Sequence, residues 1–413
     1  MYELTEVITE TARDILQKHI RIVPRDLWGV ERISWLVENF GKITSEQCGI
    51  LIETVNSMLR MMVQRNASDI EMGGYGSEGY VWFRIYGFKE PVPDIERLTD
   101  DESAILILSL MSDKQRRNLD KIRNLDFSYS FSTGSDIVSN DTKKINELRF
   151  RGDAYFDVDR LALNMRSIAP NLRLLDSYNF HPNVKRILSF NSIKQGMTLI
   201  TGVTGSGKST TLDAIIDWHN DNSRSHIVSI AAPLEYVHRS RKSIIRQREV
   251  GRDVRSFHEG VIQALRQDLD IMVIGEMRDS ETIFAALEVT DTGHKVFSTL
   301  HTSSAIESID RIIAEVHKNE QERVRCRLAD ILSAVISQKL VPSLDGKLLL
   351  AKEILIVTPS VRAAIKNNNT GEIYLMINHG ENLGMVTMEQ ELKKLYLEGK
   401  ISLDTAMQHA GKR

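Results

Sequence analysis

Gly202-Val-Thr-Gly-Ser-Gly-Lys-Ser209 follows the apolar run Met197-Thr-Leu-Ile200 and opens onto a stretch of helical character. A buried strand, a glycine-rich turn and a helix that starts at Lys-Ser place backbone N–H groups and a helix N-terminus against a chain of phosphates. In such a loop Lys208 reaches the β- and γ-phosphates and Ser209 ligates Mg²⁺, while Gly202, Thr204, Gly205, Ser206, Gly207 and Thr210 line the phosphate path. The segment predicts an α/β fold that binds a nucleoside triphosphate.

From residue 183 onward, short apolar runs alternate with helical stretches, the pattern of a parallel sheet covered by helices. The expected strands are Thr198–Thr201, His226–Ile230, Ile271–Ile274 and Lys295–Ser298, and after about residue 304 the chain reads as largely helical, with a last helix near Leu392–Leu397. The third of these runs ends in Gly275-Glu276, which sets a carboxylate at the edge of the sheet where open α/β sheets bind ligands. Glu276 there is suited to holding Mg²⁺ through water or polarising a nucleophile, although the aspartate usual in a P-loop enzyme is absent at position 275. Pro233-Leu-Glu235-Tyr-Val-His238 offers a second carboxylate, and transfer of a phosphoryl group to water needs one group to orient that water. His294 and His301 flank the run Lys295–Thr299, where a histidine can meet a phosphate or a carboxylate, or simply satisfy the fold.

Residues 1–60 read as a helical extension, with a capping-box pattern at Thr44 and Gln47. Residues 61–170 read as a small α+β domain with strand-like runs at Tyr80–Tyr86, Phe127–Phe131 and Leu148–Phe156 and one helix signalled by Thr99 and Glu102. Residues 171–182 read as a linker, leaving 183–413 for the nucleotide domain and its helical C-terminal part. The chain of 413 residues has room for two or three domains of roughly 150 residues each. Fifty-three basic against 56 acidic residues give no global charge that would favour nucleic acid, which is not an expected partner. A local cluster, Arg239, Arg241, Lys242, Arg246, Arg248, Arg252 and Arg255, reads either as a solvated face paired with its own acids or as an anion contact. Arg151-Gly-Asp153 matches an adhesion tripeptide by coincidence. Two cysteines exclude a disulfide scaffold and a four-cysteine zinc module. No signal-peptide pattern or long apolar run occurs, so a cytoplasmic location without membrane insertion is expected.

Gly202–Ser209, Pro233–His238, Gln247–Asp253, Gly275-Glu-Met-Arg-Asp279 and Thr292-Gly-His294 with Thr299–Ala305 together resemble the Walker A, Asp-box, Walker B and His-box segments of the type II/type IV secretion ATPase superfamily, in particular its PilT-like twitching-motility branch. The resemblance implies a RecA-like ATPase domain behind a PAS-like N-terminal domain, a homohexamer, and ATP with Mg²⁺ as the bound nucleotide. It implies Glu235 as the catalytic glutamate, Glu276 as the Walker B glutamate, His294 and His301 as the His-box pair, and Arg149, Arg151 and Arg166 as N-terminal-domain residues that reach nucleotide. The implied role is the motor of type IV pilus retraction, bound to an inner-membrane platform protein. The alternatives are a DotB-like ATPase serving a secretion or conjugation channel, and a weakly hydrolysing nucleotide-gated subunit. Two departures bear on these alternatives. Ile230-Ala-Ala-Pro233 stands where the family usually has Ile-Glu-Asp-Pro, and Ser360–Lys366 matches the retraction-associated segment only in part.

Overall fold

The computed structural model describes residues 7–85, 88–138, 144–168 and 172–410. The chain divides into two compact units, Met1–Pro170 and Asn171–Arg413. In the first, helices α1 (Glu10–Ile20), α2 (Gly29–Asn39) and α3 (Ser45–Gln64) precede strands β1 (Ala67–Gly73), β2 (Trp82–Ile85) and β3 (Phe88–Pro91). Helices α4 (Asp100–Ser109) and α5 (Asp113–Ile122) and strands β4 (Asn124–Val138), β5 (Lys144–Asp157) and β6 (Arg160–Ile168) complete it. The strands form one antiparallel sheet in the order β3-β2-β1-β6-β5-β4.

Capping boxes at Thr44/Gln47 and Thr99/Glu102 start α3 and α4, each satisfying otherwise orphaned backbone donors from both sides. The helices of residues 1–60 are not a separate layer: Leu16, Leu51 and Met58 share one core with Ile70, Phe83, Phe150 and Met165 of the sheet. Tyr86 lies outside the described residues.

The second unit begins with α6 (Pro182–Leu188), β7 (Gly196–Thr201), α7 (Lys208–Asn222), β8 (His226–Ala231), β9 (Ile244–Glu249) and α8 (Phe257–Ala264). It continues with β10 (Ile271–Ile274), α9 (Ser280–Asp291), β11 (Lys295–Leu300), α10 (Ala305–Ala314), α11 (Gln321–Ile331), β12 (Leu332–Pro342) and β13 (Leu348–Ile356). Helices α12 (Pro359–Lys366), α13 (Gly371–Asn378), α14 (Met388–Leu397) and α15 (Leu403–His409) close it. Its sheet runs β13-β12-β7-β11-β10-β8-β9, parallel throughout except for β13 at one edge.

Side chains that alternate along each strand feed two cores. Leu199, Ile230, Met272 and Val296 face the helices α8 to α13, whereas Ile200, Ile227, Ile271 and Phe297 face α6 and α7. A sheet covered on both faces requires strands with little polar surface, and all six residues of β7 are buried.

Two expectations need correction. The largely helical reading beyond residue 304 missed the β12–β13 hairpin, because β12 follows α11 with no breaker between Ile331 and Leu332 and its apolar residues fit either period. The segment 171–182 is not a free linker: Leu175, Tyr178 and Phe180 are buried with Ile200 and Ile215, and His181 caps α6 with Pro182 in its first turn. Among the described residues no helix is long and apolar enough to cross a membrane.

Candidate functional site

Parallel pairing sends the C-terminal ends of β7, β8, β10, β11 and β12 to one edge of the sheet, and the chain segments that leave those ends carry most of the residues singled out above. Gly202–Gly207 leaves β7 and passes directly into α7, whose first residue is Lys208. Gly202 adopts φ +150°, and a Cβ there would lie 2.3 Å from Ser206 Oγ and 2.5 Å from the carbonyl oxygen of Gln338. The Gly202→Ala variant is therefore expected to lose about 1–3 kcal/mol of stability through overpacking, read as a lower midpoint of urea unfolding. An unchanged midpoint would contradict this close approach.

Gly207 caps α7 in the left-handed region and supplies no side-chain acceptor, so the first amides of this helix lack the polar cap that Ser256, Asp279 and Ser304 provide at α8, α9 and α10. The buried Ser206 hydroxyl has no hydrogen-bond partner among the described residues. Uncapped donors and an orphaned hydroxyl in a glycine-shaped cradle fit the oxygens of a phosphate chain. Lys208 is buried, and its ammonium donates to the carbonyls of Gly202 at 2.8 Å and Val203 at 3.0 Å. Burial lowers its pKa and the charge of Glu235 opposes that shift. Thr204 and Gly205 are exposed at the tip of the loop, and Thr210 is half-buried in the first turn of α7.

Glu235 lies in an extended strap, residues 232–243, between β8 and β9, and its Oε1 accepts from Ser209 Oγ at 3.2 Å. Glu276 follows β10. It pairs with Arg278, and its Oε2 stands 3.6 Å from His301 Nε2. His301 follows β11, and its Nδ1 is 3.5 Å from Thr204 Oγ1. Burial, then the charges of Lys208, Arg278 and Arg311, holds the His301 pKa below its ordinary value and keeps the ring neutral at neutral pH. Ser209, Glu235 and Glu276 are hard oxygen donors of the kind Mg²⁺ takes. Glycine rather than aspartate at 275 has a steric reason: a Cβ would meet the Ile230 carbonyl oxygen at 3.1 Å and Ala231 Cα at 3.2 Å.

His294 is not brought to this edge. It precedes β11, its Nδ1 lies 3.1 Å from the Val289 carbonyl, which can only accept, and 3.0 Å from Thr292 Oγ1, and its carbonyl accepts from Gly196 at the start of β7. The six residues of β11 separate it from His301 by about 20 Å at the rise of a strand.

Arg149, Arg151 and Arg166 belong to the first unit and share one face of its sheet, Arg149 and Arg151 two apart on β5 and Arg166 directly opposite Arg151. Arg151 binds Asp126 through two hydrogen bonds of 3.0 and 2.6 Å, and Arg166 donates to Asp69 at 2.8 Å. Of the basic cluster, Arg241 is bound to Asp217 and Asp221, and Arg248 to the Asp253 carbonyl and Gln263, so these two serve the fold. Residues the sequence reading missed include Gln338 and Thr211, which exchange hydrogen bonds between β12 and α7, and Arg278 beside Glu276. Only the last had a local signal, its place two residues beyond Glu276.

Residues 136–405 match the family described as type II/IV secretion system protein. The chain is 38% identical to the type IV pilus retraction ATPase PilT of Pseudomonas aeruginosa over 74% of its own length and 84% of that protein. It is 36% identical to a twitching motility protein of Neisseria gonorrhoeae over 79% of its length and 83% of the relative. The crystal structure of the pilus retraction motor PilT with bound ADP resembles this fold with a TM-score of 0.74 and 36% identity, covering 86% of this chain and 96% of the other. The Legionella pneumophila ATPase DotB gives a TM-score of 0.68 at 26% identity, covering 86% of this chain and 94% of the other.

Proposed function

Because the chain belongs to the type II/IV secretion system protein family, we propose that it is a PilT-type ATPase, a homohexameric motor whose hydrolysis of Mg-ATP powers type IV pilus retraction. The observation that carries this reading is the contact between Ser209 and Glu235, which joins the phosphate loop to a carboxylate at 3.2 Å. Lys208 and the uncapped amides of α7 bind the β- and γ-phosphates, and the neutral His301 and the Arg278–Glu276 pair border the same edge. Glu235 orients the attacking water and accepts its proton as the bond from water oxygen to the γ-phosphorus forms and the bond from that phosphorus to the β–γ bridging oxygen breaks, leaving ADP and phosphate. Ser209, with Glu276 through water, would hold Mg²⁺, which when bound neutralises developing charge on the phosphate oxygens.

Arg149, Arg151 and Arg166 are the residues through which the first unit would sense nucleotide, with Arg151 and Arg166 exchanging their carboxylate partners Asp126 and Asp69 for phosphate. The motor would act at the inner membrane through a platform protein rather than by insertion. The partial match of Ser360–Lys366 to the retraction segment and the likeness to DotB favour a secretion-channel ATPase as the second reading.

Purified full-length chain at saturating ATP should release phosphate with MgCl₂ and stop when EDTA removes the metal. Cells lacking the gene should extend pili and fail to retract them. Bound ATP without any phosphate release would replace the motor by a nucleotide-gated regulatory subunit, and normal retraction in the deletion strain would favour the secretion channel.

A further inference from the structure

Ser209, Asp213, Asp217 and Asp221 recur every four residues along α7 and so occupy one face of the helix that starts at the phosphate loop. The strap that carries Glu235 lies along that face. Ser209 meets Glu235 at 3.2 Å, Asp213 Oδ1 meets His238 Nε2 at 3.1 Å, and Asp217 Oδ1 stands 3.8 Å from His238 Nδ1 and accepts from Arg241 at 2.8 Å. Arg241 also reaches Asp221. The strap backbone is held as well: Arg241 N donates to Asn220 Oδ1, Asn220 donates to the Arg239 carbonyl, and Gln247 of β9 bonds both His238 N and the Tyr236 carbonyl. The His238 side chain is fully buried between two carboxylates that hydrolysis itself does not use.

We infer that His238 is a positioning residue for the reaction, holding Glu235 in register with Lys208 and Ser209 by fastening the strap to Asp213 and Asp217 of α7. The inference rests on the reading of Glu235 as the hydrolytic carboxylate. Its physical content is that α7, the phosphate loop and Glu235 move as one body, so the carboxylate keeps its distance from the γ-phosphate whatever the rest of the chain does.

Burial opposes a charge on His238, but the hydrogen bond to Asp213 and the nearby carboxylate of Asp217 outweigh it and raise the pKa above the ordinary histidine value. The groups at the ring are Asp213 and Asp217 from α7 and Tyr236 from the strap itself, with Arg241 of the strap paired to Asp217 and the uncharged Gln247 of β9 accepting from the His238 backbone N–H. A raised pKa means that the imidazolium is present on the acid side and lost as pH rises through the folded value, so the fastening weakens on the alkaline side.

The test is a four-protein cycle on the full-length chain: wild type, His238→Gln, Glu235→Gln and the double variant. His238→Gln should lower kcat by about ten- to a hundredfold, the effect of a small misplacement of a reacting group, with the KM for ATP unchanged and the alkaline fall in kcat gone. The double variant should be no slower than Glu235→Gln alone, because His238 acts through that carboxylate. Losses that multiply, a rise in KM in place of a fall in kcat, or a pH profile like that of the wild type would each overturn the inference. If His238→Gln does not fold, Asp217→Asn, which keeps size and an acceptor but removes charge, takes its place in the same cycle. A Glu235→Gln variant that hydrolyses normally defeats the reading of Glu235. An inactive Glu235→Gln beside a fully active His238→Gln defeats the positioning role alone.

Discussion

The Glu235→Gln variant is expected to bind ATP as the wild type does and to release phosphate about a hundred- to ten-thousandfold more slowly, the usual worth of a general base. Two features make the effect large. The side chain touches Ser209, the second residue of α7, so it stands beside the phosphate loop rather than elsewhere on the sheet edge. Alanines at 231, the last residue of β8, and at 232, the first of the strap, leave no acid at the two positions just before Pro233 to take over from the lost one. Glutamine keeps the shape and can still accept from Ser209, which leaves binding intact while removing the proton acceptor. Phosphate release at saturating Mg-ATP, with binding followed by a fluorescent nucleotide, reads the two separately. Turnover at the wild-type rate would move the catalytic role to Glu276.

Replacing Lys208 by Ala should abolish tight binding of ATP. The ammonium is buried and hydrogen-bonded to two carbonyls of the loop it must serve, so its charge is already desolvated and preorganised before the nucleotide arrives. Loss of one partner of such a buried charged contact costs about 2–5 kcal/mol, which is roughly thirty- to several-thousandfold in Kd. Calorimetric titration with a slowly hydrolysed ATP analogue gives the change directly, and thermal unfolding without nucleotide serves as the control for folding. An unchanged Kd would mean that Lys208 does not meet phosphate at all.

The two histidines that flank β11 show how far local pattern reaches. His294 and His301 stand at either end of one apolar run and look equivalent in the sequence, yet only His301 reaches Glu276 and Thr204. Strand direction relative to β7 separates them, and direction is a property of the sheet. The β12–β13 hairpin was illegible for another reason: its apolar residues are ordinary for a helix until β7 presents an unpaired edge for β12 to join. The partners of His238 lie 21 and 25 residues away on α7, and nothing near His238 in the chain announces them.

What the amino-acid order determined by itself is what depends on neighbours within one turn or strand. The phosphate loop needs glycines at set positions and a helix after them, capping boxes need a partner three residues on, and doubly covered strands need continuous apolar runs. Tertiary structure decided which carboxylate meets Ser209, which histidine meets Glu276, and that α7 and the Glu235 strap are fastened along their length. Those contacts join residues distant in the chain, and their geometry follows from parallel strand order and helix phase, which only the assembled sheet defines.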